Sequence, residues 1–415
     1  PVGQTGLLSV QGKINALGDV TLQAAQADFS GEILSGAVFD HTSAHFSDVV
    51  NIRDYESATG AIVEGGTIRI AATQIDGSGT LKTDGDVSME AVSTAGGPAT
   101  ISLKDSEIQA DNVNLEARSQ ITESRLIASK VTAEATIELD STKIDAAGDL
   151  TLRAQADVDL ETTSPQLDLV NLPVDAGAAI SLIESTAAIT VRGDSDLNVD
   201  GDLVMDALNR VDVTSSADAS GAQGSTAVGG SVAVGKVDTT TKVVVEGNTQ
   251  IQTGTLQMSA LSDNRLVTEA KAGAQGAEKQ EGAEKGHTED FLEEYGEQAQ
   301  TSEGGVGVAA ALAISDLKSD TGVRLGSSGS ISASGQIDLL SQARNQSVVT
   351  ADGSTVEAGS VGVGVAVGIN LANITNTAIV DQELSAAGLS IKAVALEDAQ
   401  GVSAFETSAT SGAGS

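Results

Sequence analysis

The residues of this chain best suited to chemistry are carboxylates that stand two apart: Asp84 with Asp86, Asp194 with Asp196, and Asp200 with Asp202. Two carboxylates at a fixed gap across a cleft are the general acid–base machinery of glycosidases. The same side chains in turns, joined by backbone carbonyls, can hold calcium. Asp194, Asp196, Asp200 and Asp202 are therefore the candidate metal ligands. The plainer reading is that Asp makes the turns, since its side chain bonds the backbone two residues on. That reading is preferred, and no catalytic residue is assigned.

Arg192-Gly193-Asp194 spells an integrin-recognition tripeptide and is the candidate cell-binding element. Further along, Val245-Glu246-Gly247-Asn248 repeats Val191-Arg192-Gly193-Asp194, so a turn that the chain uses twice is the competing explanation. Asp40-His41 and His45, with Asp48 nearby, have the spacing of a helical metal site. The metalloprotease motif needs Glu beside the first His, and Thr42 stands there instead, so a solvated loop is expected. His287 stands alone among acidic residues and is expected to be solvated. Runs such as Ser360-Val361-Gly362-Val363-Gly364-Val365 could suggest a phosphate-cradling loop, but no Lys-Ser/Thr follows and no helix begins. Strict Gly/Val alternation instead leaves one strand face bare, so that another backbone can approach.

These residues are set in a repeating chain. Gly148-Asp149-Leu150-Thr151-Leu152 returns in kind at Gly201, Gly254, Gly335 and Gly388, in steps of 53, 53, 81 and 53 residues. The long step holds about 28 extra residues, at about 276–303. A fixed period means stacked supersecondary units, each needing only its neighbours. Within each phrase apolar and polar residues alternate, which is a strand with one buried face, and Gly-Asp before it signals a turn. The expected buried ladder is Leu150, Leu152, Leu203, Met205, Leu256, Met258, Ile337, Leu339, Leu389 and Ile391. Residues 1–147 read as less regular coils with a loop insertion near 29–55, and residues 148–415 as regular 53-residue repeats. The acidic insertion contains a short helical pattern. Thr288 can cap it, and Phe291, Leu292 and Tyr295 share one face. At a couple of dozen residues per coil, the particle would be a rod many times longer than wide.

Composition narrows the function. With 58 acidic and 22 basic residues the net charge is −36, which disfavours nucleic acid and anionic membrane surfaces. Calcium is an allowed counter-ion, and no cofactor is required. The absence of Cys excludes disulfides, thiolate zinc sites and thiol catalysis. Aromatics are 2% with no Trp, so Val, Ile, Leu and Ala must fill the core. The longest apolar run, residues 304–314, is too short to span a membrane. Pro1-Val2-Gly3-Gln4 does not open a signal peptide, and the chain reads as a cut from something longer.

Runs such as Gly201-Asp202-Leu203-Val204-Met205 and Gly362-Val363-Gly364-Val365-Ala366-Val367-Gly368-Ile369-Asn370 resemble the repeat regions of giant bacterial surface adhesins of the filamentous-haemagglutinin type. The resemblance covers most of the chain and implies a right-handed parallel β-helix, exported to the bacterial cell surface. It further implies an elongated stalk or binding surface for cell adhesion or biofilm. The partner would be a host or neighbouring cell surface or an extracellular polysaccharide. The calcium-binding nonapeptide of many exported β-rolls is missing. Two alternatives stand beside it: a carbohydrate-active β-helix enzyme, and a self-assembling filament subunit joined end to end. A cleft holding two carboxylates beside an aromatic would favour the enzyme.

Overall fold

The structure is a computed structural model that describes residues 6–16, 18–24, 26–35, 66–164, 174–224, 226–276, 306–355, 361–397 and 401–412. The alternating segments form strands, and each pairs in parallel with the strand one repeat away. Three parallel sheets result, of nine, nine and ten strands, here called A, B and C in the order the chain visits them. Each coil contributes one strand to each sheet, except that the last contributes two to sheet C, Gly388–Ala395 and Ala404–Gly412, which makes a parallel β-helix of nine coils among the described residues. No helix occurs among them.

The 53-residue repeat is one full coil. Leu150 lies opposite Leu203, and Leu203 opposite Leu256, each 53 residues on. The 81-residue step pairs Leu256 with Ile337. In the last coil Gly388 stands opposite Gln336, one place off the glycine alignment, so Ile337 meets Leu389 after 52 residues. Coils of a couple of dozen residues occur only early, where Val87 pairs with Val113. Sheet B strands stay at about four residues, while sheet A strands grow from four at Leu7–Val10 to 13 at Ala128–Asp140 and 20 at Thr226–Val245. Sheet C grows alongside, to 23 residues at Asp202–Gly224. The expected slender rod is thus replaced by a body that widens from coil to coil. Long strands spend the repeat on width, because each coil adds only about 4.8 Å of height however long it is.

Two kinds of interior follow. Near sheet B the three walls enclose Val, Ile, Leu and Met side chains. Leu150, Leu152, Leu203, Met205, Leu256, Met258, Ile337 and Leu339 are all at most 1% exposed. Burying each contributes roughly 1.5–3 kcal/mol. Leu389 and Ile391 hold the expected register but are 53% and 43% exposed, because they lie on the last described rung with none beyond to cover them. Farther out, the long arms of sheets A and C lie face to face as a two-layer blade. Its interior is alanine, including Ala217, Ala233, Ala270, Ala311 and Ala313. The glycines of the Gly/Val runs point into this layer, apart from Gly230, which faces outward. A Cβ on Gly229 would stand 2.3 Å from the Gly273 carbonyl oxygen, so the close approach requires glycine. Between the two regions runs a buried polar seam. The hydroxyls of Ser129, Thr162, Ser181 and Ser215 bond in series at 2.8, 2.9 and 2.6 Å, and the Asn264 amide donates to Asn345 at 2.8 Å.

The strands at Gln26–Phe29 and Glu32–Ser35 belong to the β-helix itself, and the rest of the loop insertion expected near 29–55 lies outside the described residues. Asp40, His41, His45 and Asp48 lie outside the described residues, as do His287 and the helical pattern of Phe291, Leu292 and Tyr295. Chain connectivity locates the acidic insertion. Gly224 pairs with Gly276, and Thr226 with Val306. Residues 277–305 thus join the arms where the previous coil uses Ser225 alone.

Candidate functional site

The carboxylate pairs are built into the corners of the coils. Between sheets B and C, each short polar side chain bonds to the next coil. Asp86 accepts from the Asn112 amide at 2.8 Å, and Asn112 accepts the Asp149 N–H at 2.9 Å. Asp149 then accepts the Asp202 N–H at 2.8 Å, and Asp202 accepts the Thr255 hydroxyl at 2.7 Å. Repetition places a short polar residue at the same corner, and its side-chain oxygen satisfies a backbone or side-chain donor of the next coil.

Between sheets A and B the corner is a column of left-handed residues. Asp105, Ser141, Gly193 and Gly247 all have positive φ, from 50° to 76°. Arg192-Gly193-Asp194 occupies this column. The Arg192 guanidinium pairs with Glu138 and Asp140. Asp194 accepts from the Asn248 amide at 3.1 Å, and Gly193 accepts the Asn248 N–H at 2.8 Å. The alignment of Gly193-Asp194 with Gly247-Asn248 is therefore physical stacking. The tripeptide is exposed, but its two charged side chains are held by adjacent coils.

Asp194 and Asp196 flank the A–B corner, whereas Asp200 and Asp202 lie at the B–C corner. The strand Asp196–Val199 runs between them. They do not converge, and among the described residues no group of three or more His, Cys, Asp or Glu is placed to hold a metal. Asp196 shares the outer face of sheet B with Lys143 and Asp145. There the Lys143 ammonium, 3.1 Å from Asp145, is held above its ordinary range, first by that hydrogen bond and then by the charge.

A feature that the spacing of short motifs does not reveal lies on the outer face of sheet C. There a groove of about 730 Å³ crosses five coils. One column along it reads Gln120, Asp157, Arg210, Asp263 and Arg344, in register. The adjacent column reads Thr122, Asp159, Asp212, Arg265 and Gln346. Two pairs of oppositely charged neighbours on adjacent strands bond. Arg344, 4% exposed, forks onto both oxygens of Asp263, and Arg265 meets Asp212 at 3.0 Å. Asp157 accepts from Gln155 at 2.6 Å and Gln120 at 3.2 Å. Such bidentate charge-assisted pairs fix side chains in place. No aromatic side chain lines the groove. It presents a row of hydrogen-bonding groups along five coils. Glycoside cleavage would need one carboxyl kept protonated and a second free to attack or to activate water; three of the four aspartates here are already bonded to protein donors. The groove was readable in principle, because Asp157, Arg210, Asp263 and Arg344 recur at the repeat's own 53, 53 and 81 steps. Compared with known proteins, the chain matches no family model, no curated protein and no solved structure.

Proposed function

We propose that this chain is a non-catalytic, structural and adhesive segment of a large extracellular bacterial surface protein, one that serves as stalk and binding surface. One observation carries the reading: polar and charged side chains at the corners and in the groove bond from coil to coil. Asp86, Asp149, Asp194 and Asp202 at the corners, together with Arg192 and the groove's Arg344 and Arg265, hold their neighbours in register. A scaffold of this kind offers extended, rigid outer faces. The partner is a cell surface or an extracellular polysaccharide, and calcium is an allowed counter-ion.

Beads carrying the 415-residue chain should retain cells or soluble polysaccharide without altering the polymer. Loss of all retention would sink the adhesive reading. The alternative reading is a carbohydrate-active β-helix enzyme, for which the groove supplies carboxylates but no aromatic side chain. Release of new reducing ends or unsaturated sugar ends from a bound polysaccharide would establish that alternative.

A further inference from the structure

We infer that the outer face of sheet A in the blade is a docking surface for a second copy of this chain, the two copies packing laterally, sheet against sheet. This goes beyond the adhesive reading and does not depend on it.

The observation is an array. Along residues 174–180, and in register along 228–234, 308–314 and 363–369, every outward side chain is Val, Ile, Leu, Ala or Gly. On rungs with a neighbour beyond them, Val174 is 58% exposed, Val228 38% and Val232 39%. The opposite outer face of the same blade is different. Sheet C there shows columns of Ser216, Glu269 and Thr350, and of Asp218, Lys271 and Asp352. The apolar character therefore belongs to one face and is not a by-product of strand-forming composition. A water-facing arm of a parallel sheet is expected to look like the sheet C side. The array is also bordered along its inner side. On the two middle rungs, two and four residues inward along the strands, Lys236 meets Asp316 at 3.8 Å and Lys318 meets Asp238 at 3.0 Å. A charged border beside an apolar centre matches the polar rim of a protein interface.

Size points to a copy. Four rungs at about 4.8 Å by four outward positions at about 6.6 Å give roughly 500 Å² of apolar footprint, the upper range for a single monomer patch. Two such faces and their rims bring the buried total to about 1,000 Å², the threshold for a specific interface. The face carries no charge, so a chain of charge −36 can bring it against its own kind while its carboxylates stay outside the contact. Across three rungs the shallow column of Ala176, Gly230 and Ala310 runs between the ridges Val174, Val228, Val308 and Ala178, Val232, Leu312, and Val365 closes it on the fourth, which gives relief that a second copy can match. Long-range repulsion between the copies is screened by salt, with a Debye length of about 10 Å at 0.1 M. The pairing should therefore tighten as salt rises.

Sedimentation equilibrium on the full chain tests this. The weight-average mass should climb from 41.5 kDa towards twice that value with concentration, and should climb sooner at higher salt. Val232→Lys with Val365→Lys should abolish the rise. Each substitution makes the chain less anionic, so a general charge effect would act in the opposite direction. Both positions are exposed, and an unchanged melting temperature excludes misfolding. Lys271→Val on the polar face should leave association intact. A monomer at all concentrations, or association that survives the double variant, overturns the inference. So does a dimer that forms only after residues 277–305 are replaced by one serine, because that segment would then be the occupant of the face.

Discussion

Leu203 and Thr151 sit on neighbouring strands of one wall and face opposite ways, which makes the strand register testable at the residue scale. Leu203 is fully buried. Leu203→Ala should lower unfolding free energy by about 2–5 kcal/mol through lost burial and the cavity left behind. Thr151→Asp on the outer face should change it by about 0.5 kcal/mol or less. Equal losses in denaturant titrations would mean the register is inverted. Glycine offers a second pair. Gly247 has φ +76°, and an added Cβ would stand 2.7 Å from the Gly193 nitrogen. Gly247→Ala should cost about 1–3 kcal/mol in strain. Gly230 has open space around its missing side chain and no unusual φ. Gly230→Ala should be neutral or slightly stabilising, since it restricts the unfolded chain.

The element scale shows what the sequence could and could not convey. The core wall from Leu150 to Met258 was legible because alternation and period coincide there, and each residue has only one apolar neighbour type to meet. The bare inward face of the Gly/Val runs was equally legible. Coil size was not. Ordinary strands run 3–10 residues, so a 53-residue repeat suggests more than one turn, whereas the strand Asp202–Gly224 alone takes 23. The polar seam was hidden for a related reason. Ser181, Ser215, Asn264 and Asn345 point inward, yet they read as the wet half of an alternating strand until their partners on facing sheets are known. The groove failed to appear because its pairs, such as Asp263 with Arg344, are 81 residues apart. The acidic insertion is a connection that replaces Ser225 of the preceding coil. Exchanging residues 277–305 for one serine should leave the far-ultraviolet spectrum unchanged and the melting temperature within about 1–2 °C, equivalent to about 1 kcal/mol in a chain of this size. A larger fall would show that the insertion contributes to packing.

For the whole molecule, height and width follow from the same spacing rules. Nine rungs at about 4.8 Å give roughly 40 Å along the axis, while a 20-residue arm at about 3.3 Å per residue spans roughly 65 Å across it. Small-angle scattering should report a broad, tapering body whose longest dimension follows the strands. A profile many times longer than wide would overturn this, unless the laterally paired species is what is measured, which dilution separates. Charge sets the second expectation. A net −36 distributed over stacked corners places like charges in successive coils, so self-repulsion works against the fold. The ladder partly relieves it, because Asp149 and Asp202 each accept a bond from the next coil. Added cations should relieve the rest by screening. Since no group of three or more candidate ligands converges among the described residues, the gain should not discriminate between ions. Calcium and magnesium at millimolar levels should raise the melting temperature by similar amounts, and sodium at matched ionic strength should recover much of that rise. A calcium-specific increase that saturates at micromolar concentration would instead require a coordinated site. Alanine at Asp194 and Asp196, and separately at Asp200 and Asp202, would then show which corner holds it.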